Sequence, residues 1–264
     1  MPEHAASRES TVSAIGVSKM FPGHSADDPA VLALHDINFM VGHNEFCSIL
    51  GHSGCGKTTL LTIIAGFEQP STGQLLLQGK PVGKPSWERT MIFQDYALFP
   101  WQTVEDNIAF GLEMKNVKAA ERNRIVKEYI ALVGLSGFER RYPHQLSGGM
   151  RQRVSIARAL AVDPKVLLMD EPFAALDAQN RFLMQGEMVR IWERERKTCV
   201  LVTHSIEEAI ALSDRILVLT RRPGTIKADI EVALGRPRSE DDSEVLALRR
   251  RIRELIRDEV EREA

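Results

Sequence analysis

Apolar residues along this chain follow two arrangements, short continuous runs and stripes at helical spacing. Continuous runs at Phe46–Leu50 and at residues 166–169 predict strands, and the second suits a central parallel strand covered on both faces. A stripe at helical spacing predicts a helix over residues 119–133. Its members are Ile125, Tyr129, Ile130 and Val133. The chain therefore combines buried strands with helices.

Further strands are predicted where apolar or loosely alternating stretches are bounded by turn-forming residues. They cover residues 12–19, 31–41, 73–77, 90–93, 198–202, 215–220 and 225–232. A helix is predicted from Leu60 to a terminal glycine at Gly66, and residues 97–164 indicate a mostly helical insertion. Other helices are predicted behind N-capping residues, and the first and last of these residues begin capping boxes. The capping residues are Thr103, Ser147, Asp177 and Ser205.

The two ends of the chain differ from the middle. Residues 1–10 form a polar arm without the apolar segment of a signal peptide. Residues 239–264 predict a highly charged amphipathic helix. We expect this tail to pack on its own domain, because charges of alternating sign do not favour a lipid surface. The domains are then the arm, a main domain over residues 11–238 with its helical subdomain at about 97–164, and the tail.

A glycine-rich stretch follows the strand at Phe46–Leu50 and fits the pattern G-x-x-x-x-G-K-[ST]. Its glycines allow backbone N–H groups to wrap a polyphosphate, and the positive end of the next helix faces the same anion. Lys57 can reach the β- and γ-phosphates, and the Thr58 hydroxyl can ligate Mg²⁺. The alternative is a turn with a solvated lysine; the strand before and the helix after favour the phosphate loop. Its residues are Gly51, His52, Ser53, Gly54, Cys55, Gly56, Lys57, Thr58 and Thr59.

A second anion-binding helix terminus is predicted at the L-S-G-G stretch. Ser147 is a favourable N-cap, and Gly148 and Gly149 expose the first backbone N–H groups of the helix. A basic run follows at residues 151–153. Glycines that serve only as a turn would leave the coincidence of serine, two glycines and basic residues unexplained.

Acidic side chains and a histidine follow predicted strands. Asp170 comes at the C-terminal end of a buried parallel strand, where such sheets bind their ligands, and a carboxylate there can hold Mg²⁺ through water. Glu171 can polarise a water that attacks a γ-phosphate. His204 ends the strand at 198–202 on the same edge and is a candidate γ-phosphate contact. Gln94 directly follows the strand at 90–93. The alternative for the acidic pair is a solvated strand end.

Composition narrows the class of protein. Lys plus Arg number 34 and Asp plus Glu 36, so the net charge of −2 gives no electrostatic case for a nucleic-acid partner. The three cysteines form no C-x-x-C pair, which indicates reduced thiols in a cytosolic setting. The sequence contains no run of 18 apolar residues, so we expect no membrane span.

The order and spacing of these motifs resemble the nucleotide-binding subunit of ATP-binding-cassette (ABC) transporters. The likeness extends from about Thr11 to Arg238. The L-S-G-G stretch shortly before a D-E pair is particular to that superfamily. The resemblance implies an α/β fold of the P-loop NTPase (RecA-like) type, in which a parallel sheet core carries an antiparallel β subdomain and a helical insertion subdomain.

The resemblance also implies cofactors and roles. ATP and Mg²⁺ bind at the phosphate loop, with Thr58, Gln94 and Asp170 as the metal-binding residues. Phe21 stacks on adenine, although an ordinary packing residue is an equal alternative from the residues alone. Glu171 is the general base, and His204 holds the γ-phosphate. Gln94 senses Mg²⁺ and the attacking water, and it links the site to the helical segment.

Residues of the second helix terminus act, by the same resemblance, on a second subunit. Ser147, Gly148 and Gly149 bind the γ-phosphate of ATP held by that subunit, and Asp177 crosses the interface. The implied partners are a second copy arranged head to tail, an integral membrane permease and, indirectly, an extracytoplasmic solute-binding protein; no nucleic acid is expected. The implied location is peripheral, on the cytoplasmic face of the inner membrane.

A narrower likeness points to the nitrate, sulfonate and taurine branch of bacterial importers. It is carried by Phe99-Pro100-Trp101, by residues 172–181 and by Arg221-Arg222-Pro223-Gly224. The importer for a small anionic solute is the main interpretation, and an importer for another small solute is the nearest alternative. A non-transport ABC ATPase, a P-loop kinase and a regulatory ATP-binding module fit the sequence less well. They are disfavoured by the single cassette, the L-S-G-G helix in the insertion and the intact set of catalytic residues.

Overall fold

The computed structural model describes residues 10–23 and 28–261, and the chain divides into two compact units. One unit comprises the described residues up to Pro85 and from Lys197 onward, and the other comprises Ser86–Arg196. We call them the loop unit and the helical unit. The predicted arm at residues 1–10 lies outside the described residues except for Ser10, as do the last residues of the predicted tail.

Elements are numbered in chain order within the described residues. The strands are β1 (Ser10–Phe21), β2 (Val31–Gly42), β3 (Phe46–Leu50), β4 (Thr72–Leu77), β5 (Lys80–Pro81), β6 (Arg89–Ile92), β7 (Val166–Asp170), β8 (Thr198–Thr203), β9 (Arg215–Leu219) and β10 (Ile226–Glu231). The helices are α1 (Lys57–Ala65), α2 (Val104–Met114), α3 (Ala119–Leu132), α4 (Gly148–Ala161), α5 (Ala178–Glu195), α6 (Ile206–Leu212) and α7 (Ser243–Glu261), with a short 3₁₀ turn at Pro143–Gln145. None of these helices has the length and apolarity that crossing a bilayer requires.

The loop unit contains an antiparallel sheet and a second set of mainly parallel strands. The antiparallel sheet has the order β2-β1-β4-β5. In the second set, β3 lies parallel to both β8 and β9, and β10 closes the edge antiparallel to β9. Every residue of β3 is buried, as expected of a continuous apolar run with strands on both sides.

The charged tail helix α7 packs on the loop unit. Val245 and Ile252 are buried in a cluster with residues of α6, β9 and β10. Leu248, Leu255 and Ile256 pack against the same cluster. The apolar face of the predicted amphipathic helix is therefore the face that α7 buries, and the prediction that the tail packs on its own domain is confirmed.

The helical unit contains the parallel strand pair β6 and β7 together with helices α2 to α5. The predicted capping box at α2 is confirmed: the Thr103 side chain accepts from the Asp106 N–H, and the Asp106 carboxylate accepts from the Thr103 N–H. The helical segment predicted over residues 97–164 lies inside this unit.

Two local predictions need correction. Helix α1 starts at Lys57 rather than Leu60, because the Leu60 N–H already donates to the Gly56 carbonyl and begins the helical ladder. At α6, Ser205 caps the helix through the Glu208 N–H, but the reciprocal half of the predicted box differs. The Ser205 N–H donates to the Thr203 hydroxyl oxygen, and the Thr203 hydroxyl donates to the Glu208 carboxylate.

Candidate functional site

The predicted site residues divide between the two units. The loop unit carries the phosphate loop, Phe21 and His204. The helical unit carries Gln94, Ser147, Gly148, Gly149, Asp170, Glu171 and Asp177.

The glycines of the phosphate loop hold a backbone shape that other residues resist. Gly54 and Gly56 have φ of 79° and 102°, in the left-handed region that favours glycine. A Cβ on Gly56 would lie 2.7 Å from Leu34 Cδ2 and 2.9 Å from the Ala33 carbonyl oxygen. A Cβ on Gly51 would lie 2.8 Å from Cys55 Sγ. The loop is therefore packed closely against β2 and against itself.

Lys57 lies at the first position of α1 with its side chain buried. Its ammonium group donates to the carbonyl oxygens of Gly51 and His52, each at 2.8 Å. The cation is thus held inside the curve of the loop at the N-terminus of a helix, where the helix dipole also favours an anion. This donor set fits a polyphosphate.

His204 leaves the sheet beside the phosphate loop. Strands β3 and β8 are parallel and in register, with Leu50 opposite Thr203. The next residue of each strand is Gly51 on one and His204 on the other, so both emerge from the same end of neighbouring strands. His204 is exposed, as a side chain that contacts a ligand must be.

Phe21, the predicted adenine contact, lies at the end of strand β1. It is opposite Val31, and its side chain is half-buried. The Lys19 ammonium lies 4.9 Å from its ring centroid and 2.7 Å from Glu68 Oε2. One ring face is therefore already in contact with a cation, because an aromatic face attracts positive charge.

Three predicted residues follow the paired strands of the helical unit. Strands β6 and β7 are parallel, with Ile92 opposite Met169. Gln94 therefore leaves β6 near the end of β7, where Asp170 and Glu171 stand. Glu171 has a φ of 44°, uncommon for a residue with a side chain, and residues in that region concentrate at functional sites.

The L-S-G-G stretch begins helix α4 as predicted. Ser147 is the N-cap, and its hydroxyl accepts from the Met150 N–H at 3.3 Å. A Cβ on Gly148 would lie 3.4 Å from both Leu176 Cδ2 and the Tyr96 hydroxyl, which is ordinary van der Waals contact. Ser147 is exposed, so the N-terminus of α4 is accessible to an anion.

Asp177 caps α5, also as predicted. Its carboxylate accepts from the Asn180 N–H at 3.0 Å and from the Asn180 side-chain amide at 2.7 Å. These hydrogen bonds lower the pKa of Asp177, because they stabilise its charged form. The carboxylate is exposed and ionised at neutral pH.

Known proteins with similar sequences decide the family. The model of the ABC transporter family matches residues 34–174. An uncharacterised ABC transporter ATP-binding protein of Methanocaldococcus jannaschii is 54% identical over 230 residues, 87% of this chain and 86% of that protein. The aliphatic sulfonates import ATP-binding protein SsuB of Bacillus cereus is 46% identical over 242 residues, 92% of this chain and 94% of that protein. This chain belongs to the ABC transporter family, as an ATP-binding subunit. It is therefore an ATPase by class.

Two further similarities extend this assignment of the ABC subunit. The bicarbonate transport ATP-binding protein CmpC of Synechocystis is 50% identical over 215 residues, 80% of this chain but 32% of that longer protein. An ATP-binding cassette solved as a dimer after hydrolysis, with ADP and Pi bound, shares 29% identity at a TM-score of 0.72. That match covers 85% of this chain and the whole of that cassette. The predicted P-loop NTPase fold is confirmed, and so is the likeness to the sulfonate and nitrate branch.

Two arginines of the ABC subunit that were not among the predicted site residues lie near these motifs. Arg158 of α4 donates to the carbonyl oxygens of Tyr96 and Ala97 at 3.0 and 2.7 Å, and so holds the segment after Gln94. Burial lowers the pKa of Arg158. Arg222 donates to the carbonyl oxygen of Gly54 in the phosphate loop. The sequence signal for Arg222 was the R-R-P-G stretch, used there only as a branch likeness.

Cys55 of the ABC subunit is a buried member of the phosphate loop. It is 1% exposed, and burial raises the pKa of its thiol despite the nearby Lys57. The thiol is therefore neutral at physiological pH and adds no negative charge to the loop.

Proposed function

We propose that this subunit binds and hydrolyses ATP to drive uptake of a small anionic solute, of the nitrate, sulfonate or taurine type, through a separate permease. The observation that carries the proposal is the pair of anion-binding helix termini in one chain. Lys57 and its glycine loop form the first, and the Ser147 cap of α4 forms the second. The near full-length similarity to a sulfonate import protein supports the solute class.

The loop unit supplies the phosphate-binding half of the proposed site. Lys57 exchanges its loop carbonyls for the β- and γ-phosphate oxygens, and the N–H groups of residues 51–59 wrap the phosphates. Phe21 stacks on adenine with the ring face that Lys19 leaves open. His204, at the same strand end as the loop, hydrogen-bonds the γ-phosphate.

The helical unit supplies the groups for hydrolysis. Glu171 accepts a proton from the attacking water. The oxygen of that water bonds to the γ-phosphorus, and the bond between the γ-phosphorus and the ADP oxygen breaks. Gln94 orients that water. The Thr58 hydroxyl, the Gln94 amide oxygen and the Asp170 carboxylate are hard oxygen donors suited to Mg²⁺. When bound, the ion neutralises charge on the phosphates.

The second helix terminus acts on a nucleotide held by another copy of the chain. Ser147 and the N–H groups of Gly148 and Gly149 bind the γ-phosphate across a head-to-tail dimer, and Asp177 contacts the partner near this point. The exposure of Ser147 and Asp177 supports a role at an interface. ATP closes this dimer and hydrolysis reopens it.

The segment after Gln94 is the proposed link to a membrane permease. Trp101 is 72% exposed, with its ring tilted against Phe99 at a centroid distance of 5.7 Å. An exposed tryptophan beside a packed aromatic is typical of a protein interface. Arg158 ties this segment to the Ser147 helix, so movement of one reaches the other. The subunit would thus sit peripherally on the cytoplasmic face of the membrane.

The test is an affinity purification of the tagged chain from detergent-solubilised membranes of its host. We expect a multi-helix permease to co-purify, together with a solute-binding protein. Binding of taurine, alkanesulfonates, nitrate and bicarbonate to that protein then identifies the solute. Ribosomal or DNA-repair proteins in place of a permease would overturn the importer proposal and favour a non-transport ABC ATPase.

An importer for another small solute is the second candidate. The similarity to a bicarbonate transport protein favours it, since bicarbonate is also a small oxyanion. Tight binding of bicarbonate but not of a sulfonate by the co-purified solute-binding protein would decide for this candidate.

A further inference from the structure

Arg222 contacts the phosphate loop from a distant part of the sequence. Its Nε and Nη2 atoms lie 3.3 and 3.2 Å from the Gly54 carbonyl oxygen, across 168 positions of chain. Both atoms are donors of one planar cation and point at one acceptor. The residue is exposed, and with Arg221 and loop residues 52–55 it lines an open pocket of about 590 Å³.

The direction of the Gly54 carbonyl fixes the orientation of the peptide plane between Gly54 and Cys55. Gly54 has a φ of 79°, a conformation that glycine adopts readily, and a Cβ built there would lie 3.8 Å from Arg222 Nη2. The C=O of Gly54 and the N–H of Cys55 belong to one planar peptide and point in opposite directions. A donor that fixes the carbonyl therefore also fixes the Cys55 N–H, which donates to the His52 carbonyl oxygen at 3.3 Å.

The turn that carries Arg222 is held on both sides. Thr220 and Thr225 bond across it, and the Thr220 hydroxyl donates to the Pro223 carbonyl oxygen at 3.1 Å. Gly224 donates to the Ala33 carbonyl oxygen and accepts from the His35 N–H, each at 2.9 Å. A Cβ on Gly224 would lie 2.3 Å from the Cys55 carbonyl oxygen, so this glycine permits the close approach. The backbone from which the Arg222 side chain extends is therefore held in place by these hydrogen bonds.

We propose that Arg222 is a positioning residue for the phosphate loop. It holds the Gly54 carbonyl away from the phosphates, so that the loop keeps its anion-binding shape before nucleotide arrives. It acts through the loop, because its Nε and Nη2 donors are directed at the Gly54 carbonyl oxygen. The inference rests on the proposed nucleotide site but is separate from the hydrolysis step and from the transported solute.

The test compares Arg222→Met with Arg222→Lys in the full chain. The methionine variant keeps an unbranched side chain of similar length and removes every donor. We expect it to raise both the Kd for a fluorescent methylanthraniloyl-ADP and the KM for ATP about three- to tenfold, with kcat within about twofold. The lysine variant keeps one charged donor, so its values should lie between those of the methionine variant and the wild type.

Arg250→Met is the matched control, since Arg250 is an exposed arginine of α7 in the same unit. Melting temperatures of all variants show that the fold is kept. Arg222→Met values equal to those of Arg250→Met would overturn the inference, as would a loss of kcat with KM unchanged. A wild-type chain that binds no nucleotide would instead overturn the proposed function, so the two failures are distinguishable.

Discussion

The ammonium group of Lys57 lies 2.8 Å from the carbonyl oxygen of Gly51, the first residue of the same loop. A second carbonyl, that of His52, is at the same distance. The loop is therefore closed by its own lysine. Because these carbonyls are partial negative charges, they hold the cation where phosphate oxygens can replace them.

Replacing Lys57 with methionine should remove both the closure and the charge. We expect the affinity for methylanthraniloyl-ADP to fall about 10- to 100-fold, the usual value of a charge-assisted contact, and ATP turnover to fall with it. Fluorescence titration and phosphate release measure the two effects. Lys80→Met, at an exposed lysine of β5, is the control and should bind like the wild type. Unchanged affinity in Lys57→Met would contradict the phosphate-loop assignment.

Replacing Glu171 with glutamine tests the proposed general base. The amide keeps the shape of the side chain but cannot accept a proton at neutral pH, so turnover should fall about 10²- to 10⁴-fold while ATP binding is kept. Gel filtration with ATP should then reveal a stable dimer. Glu193→Gln, at an exposed position of α5, is expected to turn over normally. Retained turnover in Glu171→Gln would assign the base elsewhere.

Replacing Arg158 with methionine leaves the Tyr96 and Ala97 carbonyls without this donor. The Tyr96 bond is partly buried and the Ala97 bond is exposed, so water can replace part of what is lost, and the free energy of unfolding in urea should fall by about 0.5–1.5 kcal/mol. The kcat should fall more than the affinity for ATP, because the phosphate loop belongs to the other unit. The exposed Arg124→Met should leave the urea midpoint unchanged. An equal effect in both variants would contradict the conclusion that Arg158 connects α4 to the segment after Gln94.

Helix α7 offers a paired test of packing. Ile252 is fully buried against α6, β9 and β10, and Ile252→Ala should lower the free energy of unfolding by about 2–5 kcal/mol. Leu246 lies on the same helix but is 37% exposed, and Leu246→Ala should cost less than about 1 kcal/mol. Urea unfolding monitored by circular dichroism measures both. Similar values for the two variants would mean that α7 does not pack in solution as described.

The three cysteines should be unreactive in the native protein. Cys47, Cys55 and Cys199 are buried, and burial raises the pKa of each thiol above that of the unfolded chain. Their contribution to stability is therefore present below the unfolded pKa of about 8.5 and is lost as the pH rises towards the folded values. We expect slow labelling by Ellman's reagent at pH 8, full labelling in urea, and a lower urea midpoint at pH 10. Rapid labelling of the native chain would show that a thiol is accessible.

Local chemistry made most elements predictable from the sequence. The phosphate loop, the Thr103 capping box and the Ser147 and Asp177 caps depend on residues within a few positions of one another. Such contacts form wherever the local sequence permits them, so their pattern predicts them. The two-residue strand β5 was missed because it carries too few residues to show alternation.

Contacts between distant segments were not predictable in the same way. The Arg222 donors and the Gly54 carbonyl are far apart in the sequence, and no period or motif relates them. The left-handed backbone of Glu171 and the half-burial of Phe21 likewise depend on tertiary packing that the local sequence does not encode. The roles of the site residues remain predictions for the experiments above.

The cap of helix α4 has one more consequence. A serine hydroxyl offers two lone pairs and one proton, and the Met150 N–H uses only a lone pair of Ser147. The proton remains available for a phosphate oxygen, so the same atom can hold its own helix and recognise an anion at once. An aspartate here would keep the cap yet repel that anion, and an alanine would lose both functions. In the proposed dimer, one oxygen atom would thus join the local folding of this chain to the ligand of its neighbour.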